Sequence, residues 1–247
     1  MPVVVKKLPL DYQTPPPARP SGWGDDLAYL VPMGTFLLFT QAGVTWRHLY
    51  PITYVAKTVV VAVLLVLFRR RYTPVRWDFW WLGAALGVVG IVQWLAMQLL
   101  LQRHIGFFHP PDAKDVFDPF RDIASPSLRW AFIAVRLAGA TLLVPVMEEL
   151  FWRDYLWRRI VSPNDFKLAA VGEWDWKAFL GVAVLFSVVH GNWWLTAIVW
   201  ALMVGALLAY TKSLGACIIA HATTNLLLAL YVLKTHDWSF WCLRSGE

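Results

Sequence analysis

Three short polar groups in an otherwise apolar chain have the residue types and spacing that hydrolytic chemistry uses: "EELFWR" at 148–153, "FSVVH" at 186–190 and "HATTN" at 221–225. Glu149 and Arg153 are four residues apart and share a helix face, whereas Glu148 is turned about 100° from its neighbour. This spacing predicts a structural pair between Glu149 and Arg153, with Glu148 left to face a cavity. Phe186 and His190 are one helical turn apart. His221 and Asn225 stand at i and i+4 on one face, where they are expected to touch one buried group jointly.

Together these positions supply a carboxylate, two imidazoles, an amide and a guanidinium. A glutamate can take a proton from water and pass it to a leaving amine, with a neighbouring histidine holding that water. A His or Asn donor aimed at the developing oxyanion contributes about 3 kcal/mol. No covalent nucleophile is needed, and Cys217, one turn before His221, lacks a flanking motif and reads as a packing residue. A metal-free site without cofactor is expected. Zinc held by Glu148, His190 and His221 is the alternative, although the chain has no His-Glu-x-x-His motif. Each group also has a plain structural explanation: an interfacial salt-bridge cluster of the two acids with Arg153, Arg158 and Arg159, an interfacial histidine at 190, and an interhelical hydrogen bond from 221 and 225.

The elements that must position these residues are membrane helices. The 247 residues are 58% hydrophobic and only 15% charged, a balance that argues against a soluble domain. The 16 tryptophans suit bilayer boundaries. A net charge of +6 falls between apolar runs, as at Arg69, Arg70 and Arg71, which favours contact with membrane lipid and excludes nucleic acid as the expected partner. Two cysteines form no disulfide framework.

A Pro-rich tail over 1–26, without the apolar core of a secretory signal, precedes N-terminal membrane helices and a loop over 27–126. A core over 127–241 carries all three motifs, and 242–247 is a short C-terminal tail. Leu27–Thr40 reads as a ragged first span or an interfacial helix. Ile52–Phe68 follows, with Lys57 expected to snorkel toward headgroups, and then the uncharged Phe79–Leu101. A helix from Ser127 to about Ile160 holds the glutamate pair near its middle. Ala178–Tyr210 would be roughly 50 Å long as one helix, too long for a hydrocarbon core of about 30 Å, so a break is expected at "HGNWW", with His190 at membrane depth. Leu214–Leu233 is the last span. The fold class is therefore all-α, a polytopic membrane helical bundle of about six to eight transmembrane helices around a membrane-embedded polar cavity. Lys and Arg in alternate loops put the N-terminus, 69–71, Arg76 and the 153–177 basic cluster on one side, favouring the cytoplasmic one.

The three motifs resemble, in order, the EExxxR, FxxxH and HxxxN motifs of the CAAX prenyl protease and bacteriocin-processing (CPBP, or Abi) family of intramembrane endopeptidases. Residues 144–159 and 211–241 are similar to the bacterial subgroup found with exosortase/PEP-CTERM sorting systems. The resemblance spans roughly 130–241. It implies hydrolysis of a peptide bond near the C-terminus of a membrane-anchored protein or peptide substrate, in a bacterial inner membrane. It assigns Glu148 as general base with His190, His221 and Asn225 to oxyanion stabilisation, and Glu149, Arg153 and Phe186 to support. A prenylated substrate is not expected, because bacteria generally lack protein prenylation. The alternative function is a non-catalytic membrane scaffold or immunity-type protein that binds a partner through the same cavity.

Overall fold

The computed structural model describes residues 21–110, 112 and 115–241. The expected tail up to residue 20, the C-terminal tail and Cys242 lie outside the described residues. Seven principal helices run through the described chain: α1 (Trp23–Thr45), α2 (Tyr50–Phe68), α3 (Trp80–His104), α4 (Pro126–Val161), α5 (Trp176–Val188), α6 (Trp194–Thr211) and α7 (Leu214–Thr235). All except α5 are long and apolar enough to cross a membrane, six in number and at the low end of the expected range. The first apolar stretch is a full helix of 23 residues, about 35 Å of rise, which is a spanning length rather than an interfacial one. Its start at Trp23 is fixed by Asp25, whose carboxylate accepts from the Gly22 N–H at 3.1 Å.

Charged side chains tie together one end of the bundle. Lys167 Nζ lies 2.9 Å from Asp25, Arg71 lies 3.7 Å from the same carboxylate, and Arg159 pairs with Asp26. Ser213, before α7, donates to the carbonyls of Arg76 and Asp78. The start of α1, the loop after α2 and the loop before α5 therefore share one end, as the alternation of basic loops predicts.

The long apolar run breaks where expected. α5 ends at Val188, Gly191 takes a left-handed φ of 54°, and α6 begins at Trp194. With 13 residues, α5 rises only about 20 Å, so the turn that carries His190 stops short of a full crossing.

α3 and α7 pack with almost no side chain between them. A Cβ at Gly83 would run into the Ala216 carbonyl, and one at Gly87 would sit 2.5 Å from Thr223 Cβ. The Thr224 hydroxyl donates to the Gly87 carbonyl at 3.0 Å. Close backbone approach through small residues replaces the hydrophobic drive that lipid cannot supply between helices. It sets the position of α7 and hence of His221 and Asn225.

α4 departs from a regular helix. Its 36 residues comprise an α stretch to Ala138, a π-turn over Gly139–Leu143, six α-helical residues Val144–Glu149, a second π segment Leu150–Leu156 and a last α turn. The glutamate pair closes the short α stretch between the two π segments.

Candidate active site

Glu149 is fully buried, and its Oε1 accepts from Arg153 Nη1 at 3.1 Å and from His221 Nδ1 at 2.8 Å. The Arg153 pair is the one expected from i,i+4 spacing, and it forms although the segment between them is π-helical. The His221 bond is a correction. His221 and Asn225 do not share one buried group: Asn225 Nδ2 donates instead to the Ala140 carbonyl at 2.9 Å. Two residues at i and i+4 do share a face. They meet different partners because α4 crosses that face, offering a side chain at one level and a backbone carbonyl at the next.

Glu148 is also buried, yet its Oε2 has no hydrogen-bond partner among the described residues. Its charge is within electrostatic reach of His221, Glu149, Arg153 and Lys57. Lys57 is a second correction. It does not snorkel outward but is buried, donating to the Thr40 hydroxyl at 3.0 Å with its ammonium 4.4 Å from the centre of the Phe36 ring and 4.5 Å from that of Tyr54. Seven residues into α2, it meets an acceptor and a ring from α1 and the Tyr54 ring of its own helix, which compensate for lost water.

His190 stacks on Phe186 with ring centres 4.2 Å apart, and its Nδ1 is 2.7 Å from the Phe186 carbonyl. A carbonyl only accepts, so Nδ1 carries the proton and the neutral ring keeps its lone pair on Nε2. Aromatic rings join this histidine to the rest of the group. Phe186 stacks on Trp200 at 5.4 Å, Trp200 meets His221 edge-on at 4.7 Å, and Arg153 lies 4.9 Å over Phe186 and 5.5 Å over Trp200. Trp200 thus has Phe186, His221 and Arg153 around it, with Glu149 bound to Arg153 and His221, His190 stacked on the far side of Phe186, and Glu148 within electrostatic reach of Glu149, Arg153 and His221. Asn225 lies one turn further along α7. His190 and Asn225 are half-buried, whereas the glutamates and His221 are enclosed.

Orphan polar atoms concentrate here: Glu148 Oε2, Glu149 Oε2, Arg153 Nε and Nη2, and the indole nitrogens of Trp94 and Trp152. Trp94 faces His190 at 6.0 Å, and Trp152 faces Phe186 at 5.8 Å. Buried polar groups ordinarily find a protein or water partner, so this lining suits ordered water. The zinc alternative needs Glu148, His190 and His221 to converge, but among the described residues no three His, Cys, Asp or Glu side chains group in that way. Cys217 is buried with its Sγ toward the Val204 carbonyl, in keeping with packing.

Sequence reasoning did not identify Trp200 or Pro145 as parts of this site. Trp200 is one of many tryptophans in an apolar helix, and no local signal separates it from a lipid-facing one. Pro145 did carry a signal, since a proline inside a helical run removes a backbone donor.

Residues 129–227 match a family model described as Rce1-like, type II CAAX prenyl endopeptidase Rce1-like. No curated protein and no solved structure gives a match.

Proposed function

We propose that the protein, whose residues 129–227 match the Rce1-like model of type II CAAX prenyl endopeptidases, is an intramembrane endopeptidase in which Glu148 activates water against a peptide bond. The observation that carries this reading is the unequal state of two adjacent carboxylates. Glu149 is held through its Oε1 by Arg153 and His221, while Glu148 is enclosed beside them and its Oε2 has no hydrogen-bond partner among the described residues. A buried carboxylate without a structural partner is costly in a membrane, and catalysis is the reason to keep one.

Water would be held between Glu148 and the Nε2 lone pair of His190. As the water oxygen bonds to the scissile carbonyl carbon, its proton passes to Glu148. The carbonyl oxygen becomes an oxyanion, met by N–H donors of His221 and Asn225. Glu148 then returns the proton to the amide nitrogen, the C–N bond breaks, and a carboxylic acid and an amine leave, the acid's remaining proton passing to the amine. Glu149 orients His221 through its hydrogen bond to Nδ1. The substrate is a protein or peptide with a membrane anchor, cut near its C-terminus, and the setting is a bacterial inner membrane.

Purified protein and its Glu148→Gln variant, given the same C-terminally anchored peptides, test this. Equal cleavage by both sinks the mechanism. A second reading, a membrane scaffold that binds a partner without cutting it, draws on the internal partners that Glu149, Arg153, His221 and Asn225 already have. It predicts partner capture by both forms, with no uncleaved substrate accumulating when Glu148 is replaced.

A further inference from the structure

The π-turn at 139–143 has a defined register: the Val144 N–H bonds to the Gly139 carbonyl, five residues back. Continued by one residue, that register asks the N–H of residue 145 to satisfy the Ala140 carbonyl. Residue 145 is proline and has no N–H. An orphan carbonyl inside an apolar bundle is unfavourable, and here it is met from another helix by Asn225 Nδ2 at 2.9 Å.

The turn has a directional consequence. A π-turn holds one residue more than an α-turn, so it shifts every later side chain by about one residue, or roughly 100°, relative to the helix before it. With the turn in place, Glu149 faces His221. Without it, and with the start of α4 unchanged, Glu148 would take that direction. We propose that Pro145 and Asn225 form an interhelical lock on this π-turn, and that Asn225 is thereby a positioning residue that sets which of the two glutamates meets His221. Pro145 disfavours the ordinary α-helical register because its ring clashes with the carbonyl four residues back, that of Thr141, and Asn225 supplies the donor that the π register then lacks at the Ala140 carbonyl. This role stands apart from any contact Asn225 makes with an oxyanion, and it does not require that the protein cut anything.

The test therefore reads no cleavage. Full-length protein labelled with 15N-histidine in detergent is compared as wild type, Asn225→Ala, Pro145→Ala and the double variant, by thermal unfolding and by the His221 Nδ1–H resonance. Asn225→Ala is expected to lower the unfolding midpoint by several degrees and to abolish the wild-type resonance, which Glu149→Gln assigns. In the Pro145→Ala background the same substitution should cost less than half as much, because a regained N–H covers the carbonyl. Equal losses in both backgrounds would overturn the proposal, as would an unchanged His221 resonance in Asn225→Ala. If Asn225→Ala gives no folded protein, folding of the double variant counts as the recovery, and its failure to fold overturns the lock.

Discussion

His221 Nδ1 lies 2.8 Å from Glu149 Oε1, the same oxygen that receives Arg153 Nη1 at 3.1 Å. This single buried oxygen joins α4 to α7 through two hydrogen bonds, whereas Glu148 Oε2 makes none among the described residues.

Removing that carboxylate leaves the buried Arg153 without its counter-charge and His221 without its hydrogen-bond partner. Breaking a buried ion pair from one side costs about 3–5 kcal/mol. Glu149→Ala is expected to lose stability on that scale in denaturant unfolding, whereas Glu148→Gln, which removes no partner, should stay within about 1 kcal/mol. A Glu149→Ala variant as stable as wild type would contradict the assignment.

The α3–α7 contact makes a second prediction. Gly83 backs onto the Ala216 carbonyl, a backbone atom that cannot swing aside, whereas nothing lies within 4 Å of a Cβ at Gly34 in α1. Gly83→Ala should destabilise by about 1–3 kcal/mol through overpacking. Gly34→Ala should be neutral or slightly stabilising, since alanine is the better helix former. Thermal unfolding of the two variants side by side reads the difference.

One acid outside the membrane helices gives a pH prediction. Burial works against the charge on Asp165, but hydrogen bonds from the Ser21 and Lys167 N–H groups, both at 3.0 Å, outweigh it and hold the carboxyl below its ordinary value. A depressed folded value contributes stability above the unfolded value of about 3.9, and that contribution is lost as pH falls through the folded one. The unfolding midpoint of Asp165→Asn should therefore lie below that of wild type near neutrality and converge with it in acid. A gap that widens on acidification would reverse the sign.

Water activated by Glu148 and His190 calls on no metal. Cleavage by protein treated with strong chelators and dialysed should match that of untreated protein. Loss of cleavage restored by added zinc would transfer the chemistry to the zinc alternative.

Much of this arrangement was legible in the sequence because membrane helices obey length and charge rules that need no tertiary knowledge. The uncharged run at 178–210 was too long for one crossing, and it breaks where Gly191 permits. The i,i+4 spacing of Glu149 and Arg153 carried through to a real bond. Lys57 was misread because snorkelling is the default for a lysine near a helix end, and only packing against Phe36, Tyr54 and Thr40 overrides it. The separate partners of His221 and Asn225 depend on where α4 crosses α7, and helix length and spacing do not reveal that crossing.

The central claim is that adjacent glutamates hold different jobs, Glu148 in chemistry and Glu149 in structure. The most direct measurement is the single-turnover cleavage rate of folded Glu148→Gln on a C-terminally anchored peptide that the wild type cuts. The account predicts a loss of at least about 100-fold, the lower range for a general base, with the unfolding midpoint retained. A folded Glu148→Gln protein that cleaves at the wild-type rate would contradict it.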